Sequence, residues 1–94
     1  MSRSSYIDRG LARRFSPMAM FRLAKGLKQA DVANRGGLHE STVQKLETGA
    51  RPATPQQLRK MARGLRTAIY RTEDLLRRSR RWAGAAAGVA VEKS

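Results

Sequence analysis

Four polar side chains, Glu40, Ser41, Gln44 and Lys45, fall within the stretch ESTVQKLETG at spacings that acquire meaning on a helix. At about 100° per residue, with Glu40 at zero, Gln44, Ser41 and Lys45 lie at about 40°, 100° and 140°. Thr48 joins them at about 80°, whereas Leu46 and Val43 fall on the opposite side at about 240° and 300°. Such a helix buries two aliphatic residues and offers one continuous row of short hydrogen-bonding groups with a lysine. Its chemistry is recognition rather than bond making. The chain has no cysteine and one histidine, His39, which leaves no thiolate, no disulfide and little from which to assemble a metal centre. Paired carboxylates, nucleophile–base sets and phosphate-cradling glycine loops are missing as well. Neither catalysis nor a cofactor is expected.

The 94 residues carry 20 Lys+Arg against 7 Asp+Glu, a formal net charge of +13. A balance so basic points to a polyanionic partner. The charge is densest at the ends. Residues 1–16 hold four arginines and one acid, residues 77–94 five cations and one acid, and residues 17–76 eleven cations and five acids. The pattern suits a basic arm over 1–16, a folded domain over 17–78, and a basic then Ala/Gly-rich tail over 79–94. No apolar run approaches the roughly 20 residues a membrane helix needs, so no membrane partner is expected.

Capping signals divide the middle into short helices. Ser16 and Pro17 can start one that runs to about residue 25, with Gly26 as its stop. A second is expected from Gln29 to about residue 35, ended by Gly36 and Gly37, with Val32 and Ala33 inward. The third covers about 40–48 and ends at Gly49. Thr54, Pro55 and Gln57 supply a cap, a first-position proline and a capping-box partner for a fourth over about 55–65. Thr72 repeats the device ahead of a fifth, with Glu73 and Asp74 in its first turn. The stretch RTAIY between them is ambiguous, and the fourth helix could run on through it. Residues 6–15 read as a flexible arm or a short extra helix. No strand pattern or internal repeat is visible.

Gln29, Ala33, Gly37, Val43 and Leu46, with flanks LAKGLKQADVA and KLETGARPATPQQLRKMARGL, resemble the phage-repressor-like (Cro/C1, or XRE) family of helix-turn-helix DNA-binding domains over about residues 18–76. The resemblance implies an all-α, compact, lambda-repressor-like bundle of about five short helices with basic terminal arms. It also implies a double-stranded DNA partner and a transcription regulator of bacterial or phage origin, acting as a homodimer on an inverted repeat in the cytoplasm, on the nucleoid. Glu40, Ser41 and Lys45, with Gln44 beside them, match positions that face base edges in the major groove. Gln29 matches a phosphate contact at a helix N-terminus. Lys28, Arg35, His39, Thr42 and Arg51 complete the expected phosphate contacts. Lys28 stands where a capping Ser or Thr is usual, and Gly36 where the family's turn has an apolar residue.

Glu40 is the unexpected residue in so basic a chain. In a groove it can accept a hydrogen bond from a cytosine amino group and penalise other sequences. Two structural readings compete: Glu40 complements the positive end of its helix, or Ser41 caps with Gln44 and leaves Glu40 in the turn. Glu47 reads as structural. The run RRSRR before Trp82 is either a phosphate track with an aromatic platform or a solvated helix end whose Trp packs on the domain. RNA polymerase or a partner toxin are further candidate partners. Rival functions are the DNA-binding antitoxin of a toxin–antitoxin pair, a non-specific basic nucleic-acid-binding protein, and a cationic membrane-surface peptide.

Overall fold

Ser16 and Pro17 start the first helix as their chemistry dictates. The Ser16 hydroxyl accepts from the Ala19 N–H at 3.2 Å, and Pro17 takes the first helical position, where a missing N–H costs nothing. The structure is a computed structural model and describes residues 14–93, with side chains as far as residue 85. The arm or extra helix expected near the N-terminus falls almost wholly on residues 1–13 and lies outside the described residues. Five helices follow in order among those described: α1 (Pro17–Ala24), α2 (Gln29–Gly36), α3 (Glu40–Glu47), α4 (Pro55–Leu65) and α5 (Ile69–Lys93).

Glycines stop three of these segments. Gly26, Gly37 and Gly49 all hold φ near +73°, the left-handed backbone that only glycine adopts without strain. Thr54 and Gln57 close the expected capping box, each side chain accepting from the other's backbone N–H at 3.1 Å. At α2 only half a box forms. The Asp31 carboxylate accepts from the Lys28 N–H at 2.8 Å, and Lys28, a donor only, has no acceptor to return.

The fifth helix departs from expectation at its start. Thr72 is not its cap. Arg66 turns left-handed (φ 54°, ψ 48°) and ends α4, so α4 does not run on through RTAIY. The new helix then begins at Ile69, which puts Thr72 in its interior, fully buried, its hydroxyl donating to the Ala68 carbonyl at 3.0 Å. Glu73 and Asp74 accordingly miss the first turn. The helix is also long, at 25 residues, and carries on past residue 79 to Lys93 without a break.

Met18, Val32, Val43, Met61, Leu65 and Leu76 form the centre of the core, with α2 packed chiefly on α4 and α3, and α5 on α1 and α4. Two polar contacts tie the ends of this assembly together. Ser79 on α5, fully buried, accepts from the Met18 N–H at 3.0 Å and donates to the Leu75 carbonyl at 2.8 Å. It thereby supplies α1 with a cap from 61 residues away. Lys25 caps the other end of α4, donating to the Leu65 and Arg66 carbonyls at 2.6 and 3.1 Å, where a cation also meets the negative end of the helix. Replacing Ser79 with Ala strands a buried N–H, a loss of about 1–3 kcal/mol. Thermal denaturation of that variant should show a midpoint lowered by roughly 4–8 °C per kcal/mol lost.

Candidate nucleic-acid interface

The polar row on α3 survives intact in three dimensions. Glu40, Ser41, Gln44, Lys45 and Thr48 are all exposed, while Val43 and Leu46 are buried beneath them. None of the side chains of Glu40, Ser41, Gln44 or Lys45 is committed to a hydrogen bond or ion pair among the described residues. Thr48 alone is engaged, donating to the Lys45 carbonyl at 3.1 Å. Helix α3 starts at Glu40 with His39 as its cap residue and no side-chain capping bond. The reading in which Ser41 caps is therefore overturned, because Ser41 already lies inside the helix. Glu40 sits in the first turn, where its carboxylate also favours the positive helix end.

Two helix ends frame this row. Lys28 and Gln29 open α2 at one side, and Arg35 closes α2 about 10 Å away, next to the turn that leads into His39 and Glu40. Lys28, His39 and Arg51 are exposed; Gln29, Arg35 and Thr42 are half-buried. Arg51 follows α3 in the loop before α4. Gln29 is partly spoken for, since its amide donates to Glu47 at 3.0 Å.

Beneath the row lies a pair of buried charges. Arg22 on α1 and Glu47 on α3 are 7% and 3% exposed. The guanidinium grips both carboxylate oxygens, at 2.5 Å from Nε and 3.2 Å from Nη2, and its Nη1 donates to the Leu27 carbonyl at 2.7 Å. With Gln29 added, the network reaches α1, the turn after it, the start of α2 and the end of α3. Glu47 is thus structural, although at about 340° on the wheel it lies beside Glu40. Arg22 escaped sequence reasoning, although it is the sole charge in PMAMFRLA and could have been asked for its partner.

A cleft of about 170 Å³ opens at the α3 edge, lined among others by Arg14, Gln29, Gln44, Thr48 and Trp82. Trp82 is half-buried against the domain in this cleft, which favours the packing reading over an exposed platform. Of the run before it, Arg77 and Arg78 both reach Asp74, at 2.9 and 3.1 Å, and Ser79 is interior. Among the described residues no group of His, Asp and Glu is placed to hold a metal, and no helix is long and apolar enough to cross a membrane.

A family model described as helix-turn-helix matches residues 18–70, which is α1 through the start of α5. No curated protein and no solved structure matches the chain.

The buried pair makes an energetic prediction. Glu47→Ala leaves Arg22 charged and unpaired inside, at a cost of about 3–5 kcal/mol, whereas Arg22→Met with Glu47→Leu removes both charges and recovers most of that loss. Urea unfolding of the three proteins checks this; a double variant no more stable than Glu47→Ala would show that the pair's role is not charge compensation.

Proposed function

The chain belongs to the Cro/C1 (XRE) helix-turn-helix family of DNA-binding regulators, and from that premise we propose that it is a sequence-specific transcription regulator that inserts α3 into the major groove. The observation that carries the reading is the uncommitted polar row of Glu40, Ser41, Gln44 and Lys45 on a helix tied to α1 by a buried ion pair. Side chains with no intramolecular partner are available for base edges, and a rigid frame fixes where they point.

Each residue has a distinct part. Lys45 donates to acceptors on base edges, guanine O6 and N7 foremost. Gln44 can pair with adenine, and Ser41 with either donor or acceptor. Glu40 accepts from the cytosine amino group and, placed over guanine or thymine, faces acceptors it repels. Lys28, Gln29, Arg35, His39, Thr42 and Arg51 take phosphates and set the register. A dimer would place two α3 helices on half-sites about 34–36 Å apart.

Titration at about 150 mM salt, where non-specific binding is weak, tests the reading with two duplexes: the DNA upstream of the protein's own gene and a shuffled version. A preference of about a thousandfold or more identifies a sequence reader; equal binding across a selection from random duplexes marks a non-specific basic protein instead. Lys45→Ala should lower affinity and change the preferred base at one position of the selected site, by about 1–3 kcal/mol. An unchanged preference removes Lys45 from base recognition.

A further inference from the structure

The outer side of α4 and its cap carries Arg59, Lys60, Arg63 and Arg66, with no acid anywhere between residues 55 and 66. Arg59, Arg63 and Arg66 are exposed and Lys60 is half-buried. None of the four side chains makes an ion pair or hydrogen bond among the described residues. The contrast with α5 is direct, for there Arg77 and Arg78 share Asp74. On the helical wheel Arg59 and Arg63 fall within about 40° of one another, opposite the core residues Met61 and Leu65, and Arg66 follows at the C-terminal cap of the same helix. They form a row.

This row works against the fold. Arg59 and Arg63 are four residues apart and Lys60 and Arg63 three apart, spacings at which like charges destabilise a helix. Arg66 adds backbone strain as the one residue other than glycine with positive φ among those described. A glycine would hold that conformation freely, and the contact Arg66 does make, its carbonyl accepting from Lys25, needs no side chain. Repulsion and strain tolerated in a small domain, with no internal contact in return, point to use of these side chains outside the molecule.

Their location separates them from the polar row of α3. Helix α2 packs against both α3 and α4, whereas α3 and α4 scarcely touch, so α2 stands between the two rows. We propose that the α4 row binds the phosphate backbone of a second nucleic-acid duplex, so that one protein assembly joins two duplex segments, one read by α3 and one held without regard to sequence. The inference takes the α3 duplex from the proposed function and adds the second. Arginine forks fit phosphate oxygens in pairs. A membrane surface or a folding peptide would require apolar side chains beside the cations. Among the described residues the exposed large apolar side chains belong to Phe15, Leu23, Ile69 and Tyr70, none of them on α4 itself.

The test immobilises a duplex with the selected site, loads the full chain, and measures retention of a labelled random-sequence duplex at about 50 mM salt, where phosphate contacts are strong. It compares the natural protein with the triple variant Arg59→Gln, Arg63→Gln, Arg66→Gly. Retention should fall tenfold or more on the order of the lost charge, with the log–log salt slope flattened by about 2–3. The variant should keep its preference for the selected site and melt at a higher temperature, because repulsion and strain are gone. Unchanged retention overturns the proposal. So does loss of affinity for the immobilised site itself, which would put the row on the same duplex as α3. If the natural protein shows no sequence preference, the proposed function fails, while retention of the second duplex still reports on the row.

Discussion

Arg22 and Glu47 lie almost wholly out of solvent, and neither charge can remain there without the other. Helices of eight residues, as α1, α2 and α3 are, have little stability alone. Apolar contacts hold them together but tolerate sliding and rotation. The bidentate pair does not, because two parallel bonds at 2.5 and 3.2 Å fix both the distance and the angle between α1 and the end of α3. The Leu27 carbonyl and the Gln29 amide bring the start of α2 into the same arrangement. Substituting well-packed apolar residues would serve stability about as well. What would be lost is the setting of α3 relative to its neighbours, and α3 is the element that the proposed function places in the groove.

Local signals were legible and distant ones were not. Ser16, Thr54 with Gln57, and the glycine stops at 26, 37 and 49 act within four residues of themselves, so the sequence displays both partners at once. Thr72 followed by two acids looks like the same device, yet the left-handed turn at Arg66 starts the helix earlier and draws Thr72 into the interior. An arginine is an improbable residue for that turn, and nothing near it announces the conformation. Ser79 was read among tail residues because its partner, the Met18 N–H, lies 61 residues upstream. Arg22 has its partner 25 residues away. The α3 row could be read because helical periodicity is local; the network that orients it could not, because its members meet only in the fold.

The carboxylate of Glu40 becomes intelligible once the charges are placed. Helix α3 contains Glu40, Glu47 and Lys45, a formal charge of −1 in a chain of +13. Arg22 cancels Glu47 inside, so the outward face of α3 holds one acid and one base and is close to neutral. The cations that give the molecule its attraction for a polyanion stand elsewhere, on the flanks of α2, on α4 and on α5. Attraction is thereby separated from discrimination. On the proposed function, a neutral α3 gains little from phosphate alone and so depends on the bases it meets, which is the arrangement that favours specificity over bulk affinity.

Gly36 carries the same logic to the level of the backbone. In the family pattern an apolar residue is usual there, and a glycine suggests a loosely packed turn. The opposite holds. A Cβ on Gly36 would overlap the Lys60 carbonyl, and one on Gly64 would overlap the Val32 carbonyl. The two glycines answer each other, each admitting a carbonyl of the opposite helix four residues before its partner. Backbone therefore meets backbone along α2 and α4, a contact with no rotamers to relax and room for Cα–H···O interactions. An apolar side chain at 36 would have to be matched by withdrawal of α4, and α4 is held by its own core residues Met61 and Leu65. Since Gly37 turns the chain from α2 toward α3, the stiffness of the glycine contact passes to α3 with only a short turn between. Gly36 and Gly64 thus act as one feature, and either alone would be a defect.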